Sequence, residues 1–338
     1  MSLSRRGLLA ASFGAAAAGA LAGCSSPAPT TTGSAAATAP AAKITFGYIG
    51  DFNGASLLAV AEAKGLWAKQ NITAATKVFT NGPLQIQALG TGDLQYGYIG
   101  PGAFWLPASG QAKIIALNTL GTADRVIAQA GITSMEMLKG KKVGVPEGTS
   151  GDMILTLALK KAGMTKADIQ VTPMDASTVV AAFSSKQIDA AGIWYPNVAT
   201  IKKTVPDLVE LAKNQDFEST MAFPNAFVAG NKVVTEQKDV TTRVLKVLRE
   251  AMQFRVDHLD ETVTLTAKML KLDEALVKAD TVNAKSMTPA ELDAKTTDGT
   301  VTKWLTGMSD YFLAAGKLKE PVAAPAQWYM GDLFTGAK

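Results

Sequence analysis

The stretch from Lys141 to Gly163, KKVGVPEGTSGDMILTLALKKAG, constrains the fold of this chain more than any other. Residues 141–145 form a short, largely β-branched and apolar run that stops at a proline, which is typical of a strand. Thr149 is a good helix N-cap, and Asp152, three residues on, can act as the acidic member of a capping box. The stretch therefore predicts a strand that feeds a helix through Gly-Thr-Ser-Gly.

The start of this predicted helix has unpaired backbone N–H groups beside two hydroxyl side chains. Such an arrangement can hold a small anionic group, because the N–H groups and the helix dipole both favour negative charge. The same pattern also fits a capped strand-to-helix turn that binds nothing. The rest of the chain has to distinguish these two interpretations.

Strand and helix patterns alternate along most of the chain. Strands are predicted at 43–49, 76–79, 94–99, 113–117, 125–130, 141–145, 169–172, 188–193 and 226–229, and helices at 56–69 (capped by Ser56), after Asn81, at 150–162 and at 177–184. Two apolar stripes predict further helices, which we interpret as core: Val244, Leu245, Leu248, Met252, Val256 and Leu259, and then Val301, Trp304, Leu305, Met308, Phe312 and Ala315. This order predicts an α/β fold with two units, each a mixed, mostly parallel sheet flanked by helices.

The composition suits an ordinary globular protein, since 47% of the 338 residues are hydrophobic and 18% are charged. The formal net charge of +4 includes Arg5 and Arg6. Without residues 1–23 the chain keeps 31 basic and 29 acidic residues. This balance excludes the basic footprint of a nucleic-acid-binding protein.

The N-terminus has the anatomy of an export signal. Residues 1–23 combine Arg5 and Arg6 with an apolar run that is short for a membrane span, and they resemble a twin-arginine signal, although the general secretory route stays open. Leu21-Ala22-Gly23-Cys24 resembles a bacterial lipobox, which implies a lipid on Cys24, the only cysteine. Residues 24–42 then predict a flexible tether, so the folded part would be exported and held at the membrane by its lipid alone.

Loops that follow the predicted strands carry the candidate ligand-binding residues. The carboxyl ends of strands are where open α/β sheets bind ligands, and aromatic walls with a few polar anchors are typical of small-molecule sites. The candidates are Asp51, Phe52, Asn53, Ile99, Gly100, Gly102, Trp105, Gly148, Thr149, Ser150, Trp194 and Tyr195.

The order of these motifs resembles the solute-binding proteins of ABC importers, in the branch for taurine, other alkanesulfonates and nitrate. The resemblance covers about residues 43–330. It is carried by Gly82-Pro83 to Ala88-Leu89, Gly92-Asp93-Leu94-Gln95-Tyr96-Gly97, Leu138-Lys139-Gly140-Lys141-Lys142-Val143, Gly148-Thr149-Ser150, Ala181-Ala182-Phe183, Ile188-Asp189-Ala190, Ile193-Trp194-Tyr195-Pro196 and the tail from Met287-Thr288-Pro289 to Leu318.

The resemblance implies a type 2 periplasmic-binding-protein fold with two hinge crossovers that closes on one solute and docks on a membrane permease. One lobe would comprise 43–122 and 224–338, and the other 123–223. Gly148, Thr149 and Ser150 would hold the anionic head of taurine or another alkanesulfonate, and Ile99 to Gly102 would face it. Trp194 and Tyr195 would cover the tail. We expect a monomer without cofactor or metal.

This chain departs from the sulfonate-binding pattern at Ile99, Gly100 and Pro101, where that branch usually has a small or hydroxyl residue followed by Asp or Ser. Pro101 removes one N–H donor from the loop that faces the anion, and Asp152 would compete with a bound anion for the helix dipole. No lysine or arginine lies inside the proposed loops, so the donors would be neutral. Asp51 either pairs with an amine, which suits taurine or another zwitterion, or only forms a turn.

Other functions are weighed against the residues present. An exported hydrolase needs a nucleophile or metal centre, but the chain has one histidine, His258, in a predicted core stripe, and no cysteine besides Cys24. A related family that makes thiamine pyrimidine on this fold depends on histidine and cysteine that this chain lacks. We therefore expect no enzyme. Nitrate, an aromatic carboxylate or a pyrimidine-type solute stay open as ligands, and so does a role as ligand sensor.

Overall fold

The computed structural model describes residues 39–338, which form one compact unit. The predicted signal at 1–23, the lipidated Cys24 and most of the predicted tether lie outside these residues. The end of that tether is part of the fold: the Asn71 side chain donates to the carbonyl of Ala39 over 2.7 Å, and Arg243 donates to that of Pro40 over 3.0 Å. Strand β1 begins at Ala42, the last residue of the predicted tether, and the extent of the tether stays a prediction.

Eleven strands are found among the described residues, and they form two sheets. The strands are β1 (Ala42–Ile49), β2 (Ile72–Phe79), β3 (Tyr96–Ile99), β4 (Lys113–Gly121), β5 (Asp124–Ala128), β6 (Lys142–Val145), β7 (Gln170–Pro173), β8 (Ala190–Trp194), β9 (Val209–Lys213), β10 (Pro224–Ala229) and β11 (Ala284–Ser286). The first sheet has the order β11-β4-β10-β3-β1-β2, and the second has the order β7-β6-β8-β5-β9. Each sheet with the helices packed on it is called a lobe below.

Both sheets are mixed. In the first sheet β1 pairs in parallel with β2 and β3, while β10 runs antiparallel between β3 and β4. In the second sheet β6 pairs in parallel with β7 and β8, while β5 runs antiparallel between β8 and β9. The predicted α/β fold with two mixed sheets is confirmed. The short strands β9 and β11 were not predicted, because neither has a clear alternating pattern.

Helices cover both sheets. They are α1 (Phe52–Ala63), α2 (Leu66–Lys69), α3 (Gly82–Thr91), α4 (Trp105–Ala108), α5 (Ser150–Lys161), α6 (Ala176–Ser184), α7 (Asn197–Lys202), α8 (Asn231–Glu236), α9 (Lys238–Asp257), α10 (Leu259–Leu270), α11 (Glu274–Asp280), α12 (Pro289–Thr297), α13 (Thr300–Ala314) and α14 (Gly331–Gly336). None of the helices in residues 39–338 combines the length and the apolar character that a membrane span requires.

Helix α1 begins earlier than predicted. Asp51 is its N-cap, and the Oδ1 atom of Asp51 accepts a hydrogen bond of 2.6 Å from the backbone N–H of Gly54. The predicted cap, Ser56, is instead fully buried, and its hydroxyl accepts a hydrogen bond from Arg255. Helix α1 ends at Ala63 because Gly65 takes a left-handed conformation, with φ +63°, before α2.

The predicted apolar stripes are only partly core. Val256 and Leu259 are 41% and 38% exposed, because α9 ends at Asp257 and the chain turns there into α10. His258 lies in that turn and is exposed, with its ring 4.6 Å from the ring of Phe254, so the prediction of a core histidine is wrong. Ala315, past the end of α13, is exposed as well.

The chain passes between the two sheets twice. It leaves the first sheet after β4, through residues 122–123, and returns between β9 and β10 through residues 214–223. The exact boundaries of the lobes stay a prediction. Because β1, β3, β6 and β8 all end where the sheets face each other, the loops that follow them meet in one region.

Candidate ligand-binding site

A small cavity lies between the two lobes at the carboxyl ends of these strands. Its volume is about 30 Å³, and because one enclosed water needs roughly 10–15 Å³ on the same measure, the space holds few atoms. The residues that line it are Ile49, Asp51, Asn53, Asn81, Gly82, Tyr98, Gly100, Ala103, Gly121, Ala123, Asp124, Thr149, Ser150, Trp194 and Asn225.

The structure brings half of the predicted site residues together. Asp51, Asn53, Gly100, Thr149, Ser150 and Trp194 line the cavity. Phe52, Ile99, Gly102, Trp105, Gly148 and Tyr195 lie outside its lining. Whether the first group binds a ligand stays a prediction.

Two of the predicted residues outside the cavity lining, Phe52 and Tyr195, contact other parts of the fold. Phe52 packs in a separate apolar cluster with Val263, because the first turn of α1 points it away from the cavity. Tyr195 donates a hydrogen bond of 3.0 Å to Glu210. The ring of Tyr195 lies 5.2 Å from the guanidinium of Arg125. These charged neighbours hold it outside the lining of the cavity.

The N-terminus of α5 forms one wall of the cavity. The hydroxyl of Thr149 donates to the carbonyl of Pro146 over 2.6 Å and does not cap the helix. The carboxylate of Asp152 accepts from the backbone N–H of Gly148 over 3.0 Å, so the predicted capping box with Thr149 does not form. The first turn of α5 therefore begins without a side-chain cap, beside the cavity.

Two lysines, Lys166 and Lys317, offset the charge of Asp152. Asp152 is 4% exposed and forms an ion pair with Lys166, and the amine of Lys317 lies 4.0 Å from its carboxylate. Both lysines line a second cavity with Gly148 and Asp152. Two cations offset the charge of Asp152, while its carboxylate takes up the backbone N–H of Gly148, so its competition with an anion at the helix start stays a prediction.

The two lobes touch beside the cavity. A Cβ atom on Gly102 would lie 2.0 Å from the carbonyl carbon of Thr149, and one on Gly100 would lie 3.7 Å from the Oγ atom of Ser150. The loop after β3 thus packs directly against the start of α5. This contact between the lobes borders the cavity.

Two buried carboxylates line the cavity from opposite lobes. Asp51, at the end of β1, is 7% exposed, and Asp124, at the start of β5, is 3% exposed. Burial raises the pKa of Asp51 well above its usual range, and the nearby carboxylate of Asp280 adds to this, while the N–H of Gly54 opposes it. Burial also raises the pKa of Asp124, while the nearby hydroxyl of Ser150 and the hydrogen bond from Asn214 act in the opposite direction.

Asp124 is the main residue that the sequence analysis missed. Its Oδ2 atom accepts from the side-chain nitrogen of Asn214 over 2.9 Å, and its backbone N–H donates to the Oδ1 atom of Asn214 over 2.7 Å. Its one sequence signal is a position immediately before the strand predicted at 125–130, which does not distinguish it from a surface residue.

Hydrogen bonds among Asn53, Asn118, Thr119 and Asn225 support another wall of the cavity. Thr119 donates from its hydroxyl to the Oδ1 atom of Asn53 over 3.0 Å and accepts from the Nδ2 atom of Asn225 over 3.0 Å. The Nδ2 atom of Asn118 also donates to the backbone carbonyl of Asn53 over 2.7 Å. These bonds fix the polar side chains that face the cavity. No cluster of His, Cys, Asp and Glu suited to a metal ion occurs in the described part of the chain.

The chain matches a family model described as NMT1/THI5 like over residues 54–262. A protein of Brucella abortus (strain 2308), provisionally named as a binding protein, is 56% identical over 289 residues, which cover 86% of this chain and 90% of that protein. The taurine-binding periplasmic protein of Escherichia coli (strain K12) is 28% identical over 148 residues, or 43% of this chain and 46% of that protein.

Solved structures share the fold. The alkanesulfonate-binding protein SsuA from Xanthomonas axonopodis pv. citri, bound to MOPS, superposes with a TM-score of 0.69 at 20% identity, over 86% of this chain and 99% of that one. The desulfurization enzyme DSZB superposes with a TM-score of 0.63 at 16% identity, over 87% of this chain and 98% of that one. The fold therefore serves binding proteins and at least one enzyme.

The family model matches residues 54–262, more than half of the chain, and the 56% identity to the Brucella protein covers 86% of the chain. The chain therefore belongs to the NMT1/THI5-like family of periplasmic-binding-protein folds, which is related to the binding proteins for sulfonates and taurine.

Proposed function

We propose that this protein is the solute-binding component of an ABC importer and takes up a small organic anion, with taurine or another alkanesulfonate as the first candidate. It is exported, held at the outer face of the membrane through a lipid on Cys24, and acts as a monomer that delivers its solute to a permease. Named relatives support a binding role rather than catalysis.

One observation carries this proposal: the cavity lies where two lobes meet, and the uncapped N-terminus of α5 forms part of its wall. Backbone N–H groups at a helix start, with the hydroxyl of Ser150 beside them, suit the oxygens of a sulfonate. The two chain crossings between the sheets suit opening and closing around a solute. The small volume favours a compact solute over an aromatic carboxylate.

Calorimetric titration with taurine, ethanesulfonate, nitrate and benzoate tests the ligand class. A bound ligand at about 100 times its Kd adds about 2.7 kcal/mol to the free energy of unfolding, so a thermal shift accompanies binding. Failure of both sulfonates to bind while benzoate or nitrate binds would contradict the assignment.

The head-group position is tested by Ser150→Ala, with Ser177→Ala as the matched control. Ser177 also lies in the first turn of a helix, α6, but is exposed and outside the cavity. We expect Ser150→Ala to weaken sulfonate binding about tenfold, because one hydrogen bond to a charged group is lost, and Ser177→Ala to leave it unchanged. Equal affinity of both variants would remove Ser150 from the site.

A further inference from the structure

Asp51 and Asp124 line the cavity, and neither forms an ion pair with another residue of 39–338. Asp51 and Asp124 are both more than nine-tenths buried, and Asp280 lies behind Asp51, where its Oδ2 atom accepts from the N–H of Phe52 over 3.1 Å. None of these three carboxylates forms an ion pair with a lysine, arginine or histidine of residues 39–338. Buried carboxylates in proteins are normally paired, because an unpaired charge away from water is strongly unfavourable.

One oxygen of this group lacks any hydrogen bond. The Oδ1 atom of Asp124 is fully enclosed, and no donor of the described chain bonds to it at ordinary geometry, although Ser150 lies nearby. The other oxygen is held by Asn214, which fixes the carboxylate in place at the cavity wall. An unsatisfied, immobilised acceptor at a cavity wall indicates a donor supplied by a ligand.

The nearest cations of the chain point elsewhere. Arg125 follows Asp124 on β5, and its guanidinium bonds to Glu210 over 2.8 Å and to the backbone carbonyl of Asp124 over 2.8 Å rather than to the Asp124 carboxylate. Arg255 is fully buried in the first lobe, where it donates to Asn118 over 2.9 Å and to Ser56 over 3.2 Å. Among the described residues, neither of these arginines forms an ion pair with Asp51 or Asp124.

The remaining walls are compatible with a cation. Tyr98 and Trp194 line the same cavity, and aromatic rings attract ammonium and amidinium groups. Asn53 and Asn225 are tied to Thr119 and add no charge. Negative and aromatic groups therefore line much of the space, and one of the acids, Asp124, lies beside Ser150 at the start of α5.

We infer that the ligand must carry a positively charged nitrogen, a primary ammonium or amidinium, which sits between the carboxylates of Asp51 and Asp124. This inference rests on the proposed function, since it specifies the solute of the same site. A zwitterion with its anion at α5 and its cation at the two acids fits both walls. Simple anions such as nitrate or an unsubstituted alkanesulfonate do not, because they leave the two carboxylates unpaired.

The test uses probes that differ in charge but little in size. Taurine and isethionate differ only by an ammonium in place of a hydroxyl, and ethanolammonium carries the cation without the sulfonate. Calorimetric titration of the full-length chain would compare wild type, Asp124→Asn and Asp207→Asn. Asp207 is exposed and outside the cavity, so it controls for the change of net charge.

We expect wild type and Asp207→Asn to bind taurine about 100-fold more tightly than isethionate, and Asp124→Asn to lose most of that preference. If isethionate binds as well as taurine, or if Asp124→Asn keeps the full preference, the cation is not required and the inference is overturned while sulfonate binding stands. If ethanolammonium binds wild type but not Asp124→Asn and no sulfonate binds, the inference holds and the sulfonate assignment fails. Absence of binding by every ammonium-bearing probe at about 10 mM overturns the inference.

Discussion

A Cβ atom on Gly102 would lie 2.0 Å from the carbonyl carbon of Thr149, so the loop after β3 and the start of α5 approach each other backbone to backbone. Gly102 belongs to the first lobe and Thr149 to the second. Any side chain at position 102 would hold the two lobes apart at this point. The absence of a side chain on Gly102 is therefore a condition for this close approach of the two lobes.

Gly102→Ala is expected to weaken ligand binding at least tenfold, because the added methyl group overlaps the backbone of Thr149 and prevents full closure. The free energy of unfolding without ligand should change little if the lobes separate. Gly90→Ala is the matched control, since Gly90 lies in α3 and a Cβ atom added there would meet nothing within 4 Å. Calorimetry and chemical denaturation measure the two quantities, and undiminished affinity in Gly102→Ala would show that this contact is not needed.

Trp194→Ala is expected to weaken ligand binding by about 2 kcal/mol or more, because a buried aromatic wall of the cavity is lost. Trp194 also packs in the apolar cluster of the second lobe, so the variant should unfold more easily as well. Trp304→Ala controls for the loss of a tryptophan, since Trp304 is half-buried on α13 and outside the cavity. A loss of stability with unchanged affinity would assign Trp194 to the core alone.

The free energy of unfolding of the ligand-free protein should depend on pH through Asp51 and Asp124. Burial raises the pKa of both, so the folded state keeps protons that the unfolded chain releases near 3.8. Their contribution to stability is therefore present below that pH and is lost as the pH rises through the raised folded values. The variant Asp51→Asn/Asp124→Asn should gain stability relative to wild type as the pH rises, and Asn also keeps the cap of α1.

Asp175→Asn is the control for this measurement. Asp175 caps α6, and the N–H of Thr178 lowers its pKa, so its contribution is present at neutral pH and is lost as the pH falls. Urea denaturation at several pH values should show the two differences, wild type minus variant, changing in opposite directions. Parallel changes would mean that the buried pair does not keep its protons.

Replacing Asp152 should change the free energy of unfolding more than replacing Lys317, because only the pair with Lys166 is close. Asp152 is buried and pairs with Lys166, whereas Lys317 lies 4.0 Å away. We expect Asp152→Ala to lower the free energy of unfolding by about 1–3 kcal/mol, because the N–H of Gly148 loses its acceptor too. Lys317→Ala should change it by less than about 0.5 kcal/mol, since half-exposed pairs contribute little. Equal effects of the two changes would contradict this ranking.

The sequence predicted the parts of the site that depend on neighbouring residues. The strand at 142–145 and the helix from Ser150 follow from local hydrophobic pattern and helix-start chemistry, and both are observed. Local chemistry was misleading where a tertiary partner competed. Asp152 bonds to Gly148 and Lys166 rather than completing a capping box, and Tyr195 is held by Glu210 outside the cavity.

The sequence by itself determined the alternation of strands and helices, the two α/β units and the loops that end at one edge, because these follow from periodicities within a few residues. Only the tertiary structure decided which polar groups share the cavity. Asp124 faces Asp51 because β5 inserts antiparallel between β8 and β9, and Gly102 meets Thr149 because two loops from different sheets are pressed together. Contacts between residues so far apart in the chain depend on how whole sheets pair and pack, which no local pattern contains.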